Sequence, residues 1–373
     1  MSLCDYSIKI YYSKGFLPMK KNFLKPLLAL VFTGFFLTSC SNKNVSNEPT
    51  ISTQIEVETN TSETATDSLN SDSQTSNSDS QIINDESKIS NADIRIVCWG
   101  DSLTEGTGGE GVTMPNTLEA LSGATVLNYG VYAENTSSIA ARQGGNPQYL
   151  TEDIIIPADC TPVKAAVAGK YGYEMFLIFG DAGVNNVTLS GIEGTYACNP
   201  EDGQRYFTRI TPGDEVSVPA GTQLFTHGML DKKPDDILVI WAGGNDTPQT
   251  EAEFTPVFDK IDEMLEYQGC SKYIVISDMN THFRIPLTDE FNEAFSKKYG
   301  EHFLNARAYL MNSALDQLGI TPTDADKAAL ERGDIPISLR MTEAEDEVHG
   351  NADYYRIVGE QVYKKMQELG YLE

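Results

Sequence analysis

Residues 94–106, Ile-Arg-Ile-Val-Cys-Trp-Gly-Asp-Ser-Leu-Thr-Glu-Gly, carry a serine to the end of an apolar run. The run 94–99 breaks at Gly100 and delivers Asp101 and Ser102 to a polar, glycine-rich loop, the place where α/β folds put reactive groups. A serine hydroxyl becomes a nucleophile only if a base reaches it and a pocket stabilises the anion that attack creates. His349 is the best-placed base, because an imidazole can take that proton and return it to a leaving group. Asp346, three residues earlier, can hold the ring in one tautomer and favour the imidazolium, and the short Asp-x-x-His spacing lets one loop supply both.

These residues need a scaffold, and its pattern from residue 93 onward is strand, helix, strand, helix. Apolar runs at 94–99, 125–128, 237–241 and 273–277 are short, β-branched and bounded by Gly, Asp or Asn, as buried parallel strands are. Between the last two, residues 255–268 place Val257, Phe258, Ile261, Met264 and Leu265 at helical spacing. A final helix with Tyr355, Val358, Val362, Met366 and Leu369 on one face stops at Gly370. This alternation predicts an α/β fold, a parallel sheet covered by helices on both faces. Residues 152–231 break it. There 174–179, 186–190, 205–210 and 215–218 read as strands between tight turns, a β-rich insertion in the α/β domain.

Four blocks stand in order along the chain: Gly100-Asp101-Ser102-Leu103-Thr104, Asn128-Tyr129-Gly130-Val131-Tyr132-Ala133-Glu134-Asn135, Gly243-Gly244-Asn245-Asp246 and Asp346-Glu347-Val348-His349. Together they resemble the SGNH (GDSL-type) hydrolase family over 93–373, the insertion aside. The resemblance implies a flavodoxin-like α/β/α sandwich and ester hydrolysis through an acyl-Ser102 intermediate, with His349 and Asp346 completing the triad and no metal or cofactor. It also implies an oxyanion hole built from the backbone N–H of Ser102, a backbone N–H at Ala133 and the side-chain amide of Asn245. Ala133 departs from the family pattern, which most often has Gly there. A backbone donor survives that change unless the position needs a positive φ, which alanine resists. The implied substrate is a small acyl ester, O-acetylated carbohydrate; the insertion follows the helix after the second block and is placed to wall the site.

Each residue has a plainer reading. Ser102 can cap a helix, Asn245-Asp246 can be an ordinary turn pair, and Asp346 can be one more solvated carboxylate of the acidic run 343–347. Asp101 and Asp246 read as structural groups that hydrogen-bond the site loops. Trp99 and Trp241 read as packing, and His227, His282 and His302 stand in no motif. The run Gly106-Thr107-Gly108-Gly109-Glu110-Gly111 matches a dinucleotide fingerprint, but residues 100–105 separate it from the strand end where that motif must begin. The alternative from another class is a lipoprotein that binds glycans through the insertion, its hydrolase core inactive.

The rest of the sequence concerns location. Met19-Lys20-Lys21 through Lys25 forms a basic segment, 26–37 an apolar one too short to span a bilayer, and Leu37-Thr38-Ser39-Cys40 looks like a lipoprotein processing site with Cys40 lipidated. Residues 1–39 are thus expected to be a signal peptide, with Met19 an alternative start and an uncleaved anchor the competing reading. Residues 40–92, rich in Ser, Thr, Asn, Asp and Glu, read as a disordered tether holding the domain at the extracytoplasmic face of a bacterial membrane. A formal charge of −27 argues against nucleic acid as a partner. Cys98 reads as a buried apolar residue. Cys160 and Cys198 could pair in an oxidising compartment, though spacing alone decides nothing. No Cys or His spacing suggests zinc.

Overall fold

β-Branched and aromatic side chains make Arg95–Gly100 a strand (β1) with five of its six residues buried. It is the middle of the core in the computed structural model, which describes residues 90–373 apart from 173, 174, 342–345 and 347. After β1 come one helical turn, α1 (Ser102–Glu105), then α2 (Met114–Ser122), β2 (Thr125–Gly130) and α3 (Thr136–Gln143). Nine short strands follow: β3 (Gln148–Leu150), β4 (Ile154–Ile156), β5 (Val163–Lys164), β6 (Val167–Ala168), β7 (Val187–Leu189), β8 (Ile192–Cys198), β9 (Arg205–Arg209), β10 (Val216–Val218) and β11 (Gln223–Phe225). The core resumes with α4 (His227–Leu230), β12 (Ile237–Trp241), α5 (Phe254–Gln268), β13 (Tyr273–Ile276), α6 (Thr288–Tyr299) and β14 (Phe303–Leu304). It closes with α7 (Ala306–Asn312), α8 (Ala314–Gln317), α9 (Asp324–Glu331) and α10 (Ala352–Glu368).

The core sheet is parallel throughout, in the order β14-β13-β12-β1-β2. Numbering those five strands alone gives the flavodoxin-like order 2-1-3-4-5. Alternate residues of each strand feed opposite layers. Ile96, Cys98, Val239, Trp241, Ile274 and Ile276 pack with Met114, Leu118, Tyr355 and Val358 of α2 and α10. Val97, Trp99, Leu238, Ile240 and Val275 pack with Ile139, Val257, Phe258, Phe291 and Phe295 of α3, α5 and α6. The three-layer α/β/α arrangement predicted from the alternation is the one observed. β14, only two residues long, leaves no periodicity to read and was not expected.

The insertion is antiparallel. Seven strands lie in the order β5-β9-β8-β7-β11-β3-β6, and β10 pairs with β4 apart from them. Their inner faces close a separate apolar core with Val187, Leu189, Tyr196, Phe207 and Leu224, which Ala141 of α3 also enters. Its first strand begins at Gln148, four residues before the expected limit of 152, because three-residue strands carry too little alternation to mark an edge. Residues 175–179, expected as strand, run without strand pairing. The carbonyls of Met175 and Phe176 instead accept hydrogen bonds from the Arg205 guanidinium at 3.2 and 3.1 Å, so a side chain satisfies groups a ladder would have used. Cys160 is a free thiol 3.5 Å from the carbonyl of Ile210, so the pairing with Cys198 does not form. The signal, Cys40 and the tether up to residue 89 lie outside the described residues; the last tether residues are ordered instead, Asn91–Asp93 forming a 3-10 turn capped by Ser90.

Candidate active site

β1, β2 and β12 end on the same edge of the sheet because all three run parallel, and each releases one motif there. Gly100 closes β1 where no larger residue fits: a Cβ would stand 2.4 Å from the Trp241 carbonyl and 2.0 Å from the Thr104 hydroxyl oxygen. The chain then turns into α1 with Asp101 as N-cap, its carboxylate accepting from the Leu103 N–H at 2.9 Å. Ser102 is the first residue of that turn, so its own N–H has no carbonyl within the helix to bond. The cap expected as the plainer reading of Ser102 is made by Asp101, which frees the serine hydroxyl.

His349 arrives from the other end of the sequence, on the loop before α10. Its backbone carbonyl accepts from Met341 N–H at 2.9 Å, and Arg340 pairs with Gly350, so the loop is held in extended form. His349 Nε2 lies 2.8 Å from Ser102 Oγ, and Nδ1 lies 2.6 Å from Asp346 Oδ2. The other carboxylate oxygen of Asp346 accepts the backbone N–H groups of Val348 and His349 at 2.9 and 2.8 Å. Partial burial opposes ionisation of Asp346, but the His349 ring and these two N–H groups outweigh it and hold the carboxyl well below its ordinary range. An ionised carboxylate cannot donate, so Nδ1 carries a proton, and in the neutral ring Nε2 accepts from the serine hydroxyl. Ser102 and His349 are 4% and 7% exposed, enough to be approached and too little to be well solvated. Such a chain can activate an oxygen nucleophile and pass its proton to a leaving group.

The other two sequence candidates reach the same spot by different routes. Asn245 follows β12, and its side-chain amide donates to Glu134 O at 3.0 Å and to Asp101 Oδ2 at 3.3 Å. It therefore links the residue before Ser102 to the residue after Ala133. Both N–H directions of that amide are engaged, so donation to an oxyanion requires the longer contact, with Asp101, to yield. Ala133 sits in the turn Val131–Glu134, which Glu134 N–H closes on Val131 O at 3.4 Å, and it carries φ +60°. The position does need a positive φ, and the alanine adopts it, so replacing glycine strains the backbone here without removing the N–H.

Residues beyond the triad and the oxyanion-hole candidates complete the site. Arg284 donates from Nη2 to Asn245 Oδ1 at 2.7 Å, which fixes the amide with its nitrogen towards Asp101 and Glu134. Nothing in the sequence around 284 signals this, since the contact spans 39 residues. Glu134 and Arg142 form a buried ion pair at 2.6 Å, and the same guanidinium donates to Tyr129 O, Gly100 O and Ala182 O. Asp246 accepts the N–H and hydroxyl of Thr136 at 2.9 and 2.7 Å, tying the third block to the start of α3. Asp101 and Asp246 thus hold the loops together, as expected. Burial pushes the Asp101 carboxyl up to about 7 against the opposing pull of the Leu103 N–H, His349 and Arg284. Trp99 packs on Tyr129 and under Arg142, and Trp241 donates to Ser277 O, which leaves both as packing residues. His282 lies between Asp289 and Asp334, His302 stacks on Tyr273, and His227 is an exposed residue at the start of α4. The Gly106–Gly111 segment does not open a helix: α2 starts at Met114, capped by Thr113.

No family model matches the sequence, and no curated protein matches it. Among solved structures, the chain is similar to a protein named as lipolytic, of the G-D-S-L family, from Desulfitobacterium hafniense DCB-2, with 12% identity and a TM-score of 0.36 over 73% of this chain and 98% of that one. It is similar to one named as an arylesterase from Agrobacterium tumefaciens str. C58, with 13% identity and a TM-score of 0.33 over 74% and 99%. A third is the lipase Lip_vut3 from a goat rumen metagenome, with 12% identity and a TM-score of 0.34 over 73% and 97%.

Proposed function

We propose that this protein is a serine ester hydrolase acting on small acyl esters of carbohydrate. The observation that carries the reading is the unbroken chain Ser102 Oγ to His349 Nε2 to Asp346, at 2.8 and 2.6 Å, drawn from segments 247 residues apart. Ser102 Oγ attacks the ester carbonyl carbon while its proton passes to His349 Nε2. The carbonyl π electrons move onto oxygen, where the Ser102 N–H, a backbone N–H at Ala133 and the Asn245 amide stabilise the oxyanion. Collapse breaks the bond to the alkoxy oxygen, which leaves with the proton from His349. Water then attacks the acyl-serine with His349 as base, releasing the acid and restoring Ser102. The supports for an O-acetylated polysaccharide as substrate, and for lipid anchoring through Cys40 at the extracytoplasmic face, are the sequence resemblance and the signal-like segment.

Removing the nucleophile tests this directly. Loss of a catalytic serine costs ~10⁶ in turnover in a well-characterised serine protease. In p-nitrophenyl acetate hydrolysis by residues 93–373, Ser102→Ala is expected to fall to the buffer rate. Equal rates for the two proteins reject the mechanism.

A further inference from the structure

An exposed aromatic pair borders the imidazole, and nothing in the proton relay uses it. The Tyr132 ring stacks beside His349 with centroids 5.8 Å apart and planes 21° from parallel. Phe179, from the insertion, meets Tyr132 edge-on at 5.4 Å and 74°. Tyr132 is 39% exposed and Phe179 58%, although the other large apolar side chains among the described residues mostly line the cores. The loop that carries Phe179 is fastened to the α/β core. A Cβ on Gly180 would lie 3.3 Å from the Val131 side chain, and Ala182 O accepts from Arg142 at 2.6 Å. Two exposed rings are thus presented at a defined place rather than on a free loop.

We propose that Tyr132 and Phe179 form the subsite for the leaving alcohol and that it accepts a pyranose ring. The inference rests on Ser102 and His349 being nucleophile and base. The leaving oxygen must take its proton from His349 Nε2, so the alcohol departs on the imidazole side of Ser102, the side Tyr132 flanks. A ring stacked there keeps its rim and far face in water, because both aromatic residues are solvent-facing. That suits a ring with hydroxyls around its edge and a flat C–H face and gives an alkyl alcohol little burial to gain, an aryl alcohol being the competing occupant. The insertion then contributes to substrate choice through one side chain, and its removal would cost selectivity on the alcohol side rather than the chemistry.

The test is the ratio of kcat/KM for an O-acetylated methyl pyranoside to that for ethyl acetate, measured on wild type, Phe179→Ala, Phe179→Trp and Tyr132→Ala. Contacts to an aromatic ring are worth roughly 2- to 10-fold in affinity, taking aromatic pairs as the guide. The ratio is expected to fall by about that factor in Phe179→Ala, chiefly through KM, and to be kept or raised in Phe179→Trp, with Tyr132→Ala falling at least as far. A ratio unchanged within twofold in both alanine variants overturns the subsite while leaving the esterase reading intact. So does a parallel loss on both esters, which would make Tyr132 a support for His349 alone. If p-nitrophenyl acetate, not the pyranoside, loses selectively in Phe179→Ala, the subsite takes aromatic alcohols and the pyranose assignment is wrong. If wild type turns over none of the three esters, both readings fail together.

Discussion

Ala133 holds φ +60°, a region where a side chain with a Cβ is disfavoured and glycine is not. Left-handed backbone costs an L-residue ~1–2 kcal/mol, and a glycine there gives back part of this in unfolded-chain entropy. Ala133→Gly is therefore expected to stabilise the fold by roughly 0.5–1 kcal/mol, read as a higher midpoint in urea denaturation. A lower midpoint would mean the alanine methyl makes contacts that outweigh the backbone cost. The same residue shows how far reading a motif goes. Its place in the second block is plain from sequence, whereas the sign of φ belongs to the turn that Val131 and Glu134 close. Arg284 lies beyond sequence altogether, since its value comes from meeting Asn245 across the loops after β12 and β13.

Among the elements, α3 does more than cover the sheet. Its Arg142, fully buried, donates to carbonyls at the ends of β1 and β2 and in the insertion, and pairs with Glu134 in the turn before the helix. Breaking a buried pair leaves an uncompensated charge and typically costs ~3–5 kcal/mol. Arg142→Met should lose stability on that scale, and adding Glu134→Gln should recover part of it by removing the stranded carboxylate. A single variant within 1 kcal/mol of wild type in denaturant titration would show that the three carbonyls find other donors. β1, β12, β13 and α5 were readable because burial on both faces leaves continuous apolar runs and the helix keeps a 3.6-residue period, whereas β2, at the sheet edge, buries only Gly130 and is not the buried strand expected at 125–128. The insertion was readable as β-rich but not strand by strand. Segments of two or three residues leave no period, the seven-residue β8 was passed over because its buried face carries Gly194 and Tyr196 rather than an apolar row, and at 175–179 a guanidinium took the place of a ladder.

For the molecule as a whole, Asp101 couples stability to pH. Its carboxyl is raised by burial to about 7 in the folded protein, against 3.8 for an ordinary aspartate. Between those values the folded state binds more protons than the unfolded one, so stability falls as pH rises through this window and levels off above it. The contribution is on the order of 4 kcal/mol at full ionisation. Asp346 acts in the opposite sense at lower pH, since its depressed carboxyl stabilises above the ordinary carboxylate range and that support is lost on acidification. Urea titrations from pH 5 to 8 should show a declining wild-type stability and a shallower decline in Asp101→Asn, which keeps a competent helix cap. Equal slopes would mean that Asp101 stays ionised throughout.

Local pattern was enough to announce a parallel α/β core, a serine at the mouth of its first strand and a histidine with an aspartate three residues before it. Those features reside in the order of neighbouring side chains, and short-range order survives in one dimension. Whether the hydroxyl of Ser102 meets an imidazole 247 residues away was settled by folding, as were the partners of Asn245 and the two rings beside His349. Such contacts depend on which strand ends share an edge and on how the connecting loops pack. No run of adjacent residues encodes a distance between groups that the chain joins only in three dimensions.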